Sequence, residues 1–391
     1  MKFKKTALFL HRWLGIITGL VVFIVSITGA TFVFEEELFA LFNPKLCTVK
    51  QPIDKELLPF STLYEKAQTA LGKDKPITAI RIPATAEKNK SYAFDAREQM
   101  DKENLGNHLF INQQIHHWDR VFIDPYTGAF LGKIDMETNF FWIARQIHQF
   151  LYLRSDVGSI IVGTSTLLFI IISITGLILW WPKNRKVAIK RLKINPKAKW
   201  KRLNYDLHQV LGFYVFLFTM LIAITGLVWS FKWWEGSIYW LLDGKRPSFK
   251  IANPKGTDTE KISQTANKPL DILWEDLQHK HASHEGMNVT VNKENNQIST
   301  SIYFKDGSGW HASDVYAYDL RNGENYFKRL QQDKTLGMKW RNSNYNIHVG
   351  KIAGLPGMLF AFIGSLICAS LPVTGFIVWY NRTFKKKKSK R

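Results

Sequence analysis

Four uninterrupted apolar stretches, residues 13–34, 157–181, 207–231 and 355–380, constrain this chain more than any other feature. Each is nearly free of charge, and each reaches the roughly 20 residues a helix needs to cross a ~30 Å hydrocarbon core. They predict an α-helical integral membrane protein with four transmembrane helices. The first stretch follows a basic start, Met1-Lys2-Phe3-Lys4-Lys5, as a secretory signal would. It is too long for a signal's apolar region and runs into Glu35-Glu36-Glu37 instead of a small-residue cleavage site, so it is read as a retained helix.

Charge sets the expected orientation. Of the 53 Lys and Arg residues, 21 fall in three segments that hold no acid: four up to Arg12, ten in residues 182–204 and seven from Asn381 onward. The remainder carries 32 basic and 32 acidic residues, so the whole net charge of +21 lies in those segments. Cytoplasmic loops carry such an excess. Both termini and the 182–204 loop are therefore expected in the cytoplasm, the helices in a bacterial inner membrane, and the two long intervening segments outside. The basic clusters flank spans without any nucleic-acid motif, which argues against a nucleic-acid partner. Two cysteines, Cys47 and Cys368, make no disulfide framework, and the absence of Cys-x-x-Cys-His excludes covalent haem attachment.

One plan runs twice. Span one opens His11-Arg12-Trp13-Leu14-Gly15 and span three His208-Gln209-Val210-Leu211-Gly212; each reaches Ile-Thr-Gly 18 residues after its histidine, at Gly29 and Gly226. His148 and His348 precede the glycines of Thr175-Gly176 and Thr374-Gly375 by 28 and 27 residues. Offsets of 197 and 200 residues between the halves imply two units of one design. Each unit holds two helices, an even number, so both halves enter the membrane in the same direction. The expectation is two tandem parallel repeats about a pseudo-two-fold axis along the membrane normal.

The outer segments share a pattern as well. Helical stretches at 61–71 and 271–281 are followed by alternating, strand-like runs at 77–82, 92–95, 298–304 and 315–318. Hairpin signals stand at Asp124-Pro125-Tyr126-Thr127-Gly128 and Asp319-Leu320-Arg321-Asn322-Gly323. Two α+β domains are expected. The map is then 1–34 first span, 35–139 outer domain, 140–181 second span with an outer extension, 182–204 basic loop, 205–231 third span, 232–344 outer domain, 345–380 fourth span with an outer extension, and 381–391 basic tail.

No serine-triad context, Walker loop, Gly-rich dinucleotide turn or His-Glu-x-x-His occurs. Four histidines at span ends remain. One histidine at a membrane boundary can simply sit hydrated among headgroups, but four in duplicated register ask for more. His11 and His208 share one depth, His148 and His348 the other, and a two-fold axis turns the members of each pair toward one another. Imidazole is an axial ligand for haem iron, and bundle cores hold such cofactors between facing helices. The reading is two b-type haems, one near each membrane face, with His11 and His208 on one iron and His148 and His348 on the other. Arg12, Arg145 and Arg154 are candidates for the propionates, against the plainer reading of lipid phosphate contacts. His116, His117, His279, His281 and His284 are candidates for a metal or anionic chelate, against solvated loops. The repeated Thr-Gly reads most simply as close helix packing.

The chain resembles the PepSY-associated transmembrane proteins, which include inner-membrane ferrisiderophore reductases. The resemblance rests on His-x-x-Leu-Gly in spans one and three, the repeated Thr-Gly and the Asp-Pro-Tyr-Thr-Gly hairpin, and it covers nearly the whole chain. It implies PepSY-like outer domains and electron transfer across the membrane to reduce an iron complex outside. His11, His148, His208 and His348 match the family's histidine positions, while the second hairpin, Asp319 to Gly323, departs from its pattern. Siderophores present hard oxygen donors to Fe(III), so one-electron reduction loosens the complex. With no flavin or nicotinamide motif in the chain, a separate cytoplasmic or membrane donor must supply the electrons. The alternative from another class is a non-redox scaffold whose outer domains bind a peptide or partner protein. A straight helix would lift His148, nine residues before the second apolar stretch, ~14 Å above the membrane unless the chain bends at residues 156–158 and 354–357.

Overall fold

The structure, a computed structural model, describes residues 2–50, 56–100, 108–248, 251–254 and 268–384. Most of the expected basic tail, 385–391, lies outside them. In chain order the helices are α1 (Lys2–Phe32), α2 (Glu35–Phe42), α3 (Pro44–Cys47), α4 (Phe60–Leu71), α5 (Phe140–Phe150) and α6 (Ser155–Trp180). They continue as α7 (Arg185–Arg191), α8 (Trp200–Ser230), α9 (Lys232–Asp243), α10 (Lys268–Lys280), α11 (Leu336–His348) and α12 (Gly354–Thr383). The strands are β1 (Ala79–Ile82), β2 (Tyr92–Gln99), β3 (Ile115–Ile123), β4 (Phe130–Asp135), β5 (Gly286–Asn292), β6 (Gln297–Phe304), β7 (Ala312–Asp319) and β8 (Asn325–Arg329).

Helices α1, α6, α8 and α12 pack as a bundle and are long and apolar enough to cross a membrane. Their outer surfaces stay apolar: Ile17, Leu20, Phe360 and Leu217 are exposed, the last by 79%. A soluble monomer seldom presents so continuous a patch, whereas lipid solvates it.

The strands expected as two separate α+β units join in one antiparallel sheet of order β4-β3-β2-β1-β5-β6-β7-β8. The joint is β1 against β5, with Ile80 opposite Val289 and Ile82 opposite Met287. Those four side chains are buried with Phe60 and Leu63 of α4 and Leu273 and Leu277 of α10, so both halves share one core. Phe60 stacks on Trp274 with centroids 4.9 Å apart. At the start of α4 the free Ser61 amide donates to Asp271 of α10 at 2.9 Å, and the Ser61 hydroxyl to the same carboxylate at 2.6 Å. A first-turn amide that its own helix leaves unpaired is thus capped from the other half.

The two hairpins close alike despite their different sequences. Asp124 accepts from the Tyr126 amide at 2.8 Å and Asp319 from the Arg321 amide at 2.9 Å. Gly128 and Gly323, at φ 67° and 76°, then return an amide to the aspartate's carbonyl at 2.8 Å. Aspartate to fold over its own backbone and glycine for the left-handed residue are what this turn requires; the three residues between are free to vary.

In the first half of the sheet, Asp95 is 3% exposed and takes Arg120 through two bonds of 2.6 and 3.0 Å, with Arg81 at 3.4 Å. Asp95→Ala strands the largely buried Arg120 guanidinium, while Arg81, about half exposed, keeps contact with water. The expected cost is about 3–5 kcal/mol, read as a fall of roughly 10 °C in the thermal midpoint. An unchanged midpoint would show that water replaces the carboxylate freely.

Candidate functional site

The bundle's corner toward the sheet decides where two of the histidines lie. Leu151 and Tyr152 adopt φ of 54° and 64°, ending α5 and turning the chain into α6. Gly158 of α6 leaves no Cβ to strike the Phe150 carbonyl, so the two helices close up. The other half turns between α11 and α12 through Gly350 and Gly354, at φ 80° and 62°. The first break comes before the expected residues 156–158, while the second begins at Gly350 and includes Gly354 of the expected 354–357. They replace the ~14 Å lift of a straight helix by a fold-back that sets the His148 ring against Gly29 of α1.

The four histidines meet in two pairs. His11 and His208 face each other with ring centroids 6.1 Å apart and planes at 76°. His148 and His348, which end α5 and α11, repeat this at 6.1 Å and 67°. A metal-bound imidazole nitrogen lies about 2.0 Å from its metal and about 1.1 Å from its own ring centre, so two imidazoles on one ion have centroids roughly 6 Å apart. Both pairs have the spacing of axial ligands. Gly29, which meets the second pair, is 18 residues along α1 from His11, placing the pairs about 27 Å apart along the bundle.

Each ring is anchored through Nδ1 on a neighbouring span. His11 reaches the Ile172 carbonyl at 3.0 Å and the Thr175 hydroxyl at 3.3 Å; His148 reaches the Val25 carbonyl at 2.8 Å. His208 meets the Thr374 hydroxyl at 3.0 Å and His348 the Thr225 hydroxyl at 2.9 Å. A carbonyl only accepts, so Nδ1 donates in the first two. Thr374 and Thr225 direct their own hydroxyls at the Ser370 and Leu221 carbonyls, 2.9 and 2.8 Å away, so they accept from the imidazole too. With hydrogen on Nδ1, as the carbonyl partners require, each ring would keep its Nε2 lone pair for a metal.

The repeated Thr-Gly, expected as helix packing, makes room for imidazole. A Cβ at Gly29, Gly176, Gly226 or Gly375 would fall 2.8, 3.0, 3.2 or 3.0 Å from Cε1 of His148, His11, His348 or His208. Two further residues escaped the sequence reading. Buried Asn204 and Asn344, four residues before His208 and His348, donate to the backbone carbonyls of Thr374 and Thr225 at 3.0 and 3.1 Å. The repeated Asn-Tyr-x-x-His at 204–208 and 344–348 is a signal that would have found them. His11 and His148 have alanine at the same offset.

The pair nearer the sheet opens on a cavity of about 890 Å³. Its floor is small and apolar, including Val25, Gly29, Ala223 and Ala361, and its upper wall brings Arg81, Arg120 and Glu35 down from the sheet end. Burial raises the pKa of Glu35, against the nearby Arg145 cation. Among the three arginines singled out from sequence, Arg145 lines this cavity, one turn before His148, with its guanidinium 6.0 Å from the Phe32 ring. Arg12 lies over Trp13 at 5.1 Å and Arg154 bonds Asp156 at 2.7 Å; neither lines the cavity.

The other histidines singled out from the sequence lie apart from these pairs, two on β3 and three on or after α10. His281 lies 3.3 Å from Asp314 and His117 3.4 Å from Glu98, while burial and the neighbouring His281 push His284 down to about 4. His116 is exposed, and His279 is on α10. Among the described residues no three or more His, Cys, Asp or Glu converge on a point. Each pair would suit a metal that takes two imidazole nitrogens and its remaining ligands from a bound group such as a porphyrin, and the sheet-side pair adds a cavity of ligand size.

Four membrane-crossing helices, paired histidines inside their bundle and one antiparallel sheet at its end define a multi-pass membrane protein with two histidine pairs. The chain belongs to the PepSY-associated transmembrane family: the family model for the PepSY-associated TM region matches residues 8–382. No curated protein matches it.

Proposed function

We propose that this protein is a di-haem b-type oxidoreductase of the bacterial inner membrane, carrying electrons from the cytoplasmic side to a ferric siderophore or similar iron chelate outside. The observation that carries this reading is the duplicated histidine geometry: two pairs at axial-ligand spacing, each ring tautomerically fixed with Nε2 free. Bound haem would supply one-electron Fe(III)/Fe(II) chemistry at each pair. The chain supplies position, holding one pair near each membrane face. The strand order, symmetric about the β1–β5 joint, and the matched hairpins support two tandem parallel repeats with the outer segments as PepSY-like domains. The one-sided charge of the termini and the 182–204 loop supports placing them in the cytoplasm, with the sheet outside.

The sheet-side cavity supports the direction, since sheet residues such as Arg81, Arg120 and Met287 line it together with His148 and His348. Arg145, which lines that cavity, would bond a propionate there, and a separate cytoplasmic or membrane reductase would serve the His11/His208 pair.

Visible absorption of the detergent-solubilised protein, oxidised and then reduced with dithionite, tests the reading. The expected result is a Soret band that sharpens and shifts on reduction, with two haems per chain. A spectrum without it would reject the redox assignment and favour a partner-binding scaffold.

A further inference from the structure

We infer that Thr225 and Thr374 are positioning residues that tune the reduction potentials of the two sites independently, each through its hydrogen bond to one ligand histidine. The inference deepens the haem reading and rests on it. Each ligand has a backbone carbonyl as a partner, Val25 for His148, Ile172 for His11, Ile222 for His348 and Leu371 for His208, and in His348 and His208 a threonine hydroxyl, Thr225 or Thr374, stands against Nδ1 at 2.9 and 3.0 Å. No side-chain substitution removes the carbonyls. The threonines are the adjustable members.

Their geometry suits the role. The hydroxyl proton of each is committed to its own helix, at 2.8 Å for Thr225 to Leu221 and 2.9 Å for Thr374 to Ser370. With its proton on that helix carbonyl, the oxygen presents a lone pair to the imidazole Nδ1–H. Asn344 and Asn204, both buried, bond the carbonyls of the same two threonines and lock the backbone behind them. The first-half ligands, with alanine in place of asparagine, lack this second tie. Chemically, an acceptor on Nδ1–H shifts charge onto the ring, strengthens donation from Nε2 and favours the ferric over the ferrous ion. Removing the acceptor should raise the potential of that one site.

Spectroelectrochemical titration of the full-length detergent-solubilised chain, as Thr225→Val and Thr374→Val with serine variants beside them, reads the effect. The expected result is retention of both haems, with the potential raised only at the sheet-side site in T225V and only at the other in T374V. A tenfold change in the ferrous-to-ferric ratio at fixed potential corresponds to about 59 mV for one electron, and serine, which keeps the oxygen, should restore the wild-type value. Should valine expel haem, Thr→Ala is titrated instead. Haem present with unmoved potentials overturns the inference, and so does a shift of both sites together in either variant. A wild-type chain with no Soret band fails the haem reading itself, an outcome distinct from these.

Discussion

Replacing His348 by alanine is expected to remove the sheet-side haem and leave the other, halving the haem carried per chain. His148→Ala should give the same loss, because the two rings, 6.1 Å apart, address one iron and a lone axial ligand holds b-type haem poorly. His11→Ala and His208→Ala should each remove the other haem. The double variant His148→Ala/His348→Ala should cost no more than either single change, since both ligands serve one site. A combined His208→Ala/His348→Ala chain should bind none, because sites about 27 Å apart along the bundle lose their ligands independently. Haem content by pyridine haemochrome, normalised to protein, decides the matter. If one member of a pair proved dispensable while its partner did not, the shared-iron assignment would be wrong.

Much of this arrangement was legible because membranes impose simple rules. A span must be continuous and apolar, so α1, α6, α8 and α12 stand out from composition alone. Duplicated register then singles out His11, His148, His208 and His348. The rest depends on contacts that local pattern does not encode. Pairing of β1 with β5 joins residues some 200 positions apart, and nothing in Ala79–Ile82 names Met287–Thr290 as its neighbour. The corner after α5 is built on Leu151 and Tyr152, residues that carry no turn signal, so the break was expected slightly later, at Gly158. Thr-Gly was visible, yet its meaning required knowing what lies opposite. Only the packed bundle shows that the missing side chain is replaced by an imidazole.

In liposomes oriented with the sheet outward, an external ferric siderophore should oxidise the reduced protein, and an Fe(II) trap outside should collect one ferrous ion for each electron lost. Reduction driven from the lumen should require His11 and His208. With the His11/His208 haem absent, a luminal donor meets no acceptor at its own membrane face, since the remaining pair lies about 27 Å further along the bundle. His11→Ala should therefore abolish turnover driven by a luminal reductant, lowering the steady rate by about 100-fold or more, an effect worth ~2.7 kcal/mol in barrier. The same variant, reduced chemically at its sheet-side haem, should still deliver an electron to the external chelate, because the ligands there, His148 and His348, are untouched. Stopped-flow spectra in the Soret region separate these half-reactions. Luminal turnover that survives in His11→Ala would break the proposed conduit. Haem that stays reduced with every ferric chelate, yet is oxidised by another external acceptor, would keep the conduit and move the terminal acceptor to a different chemical class.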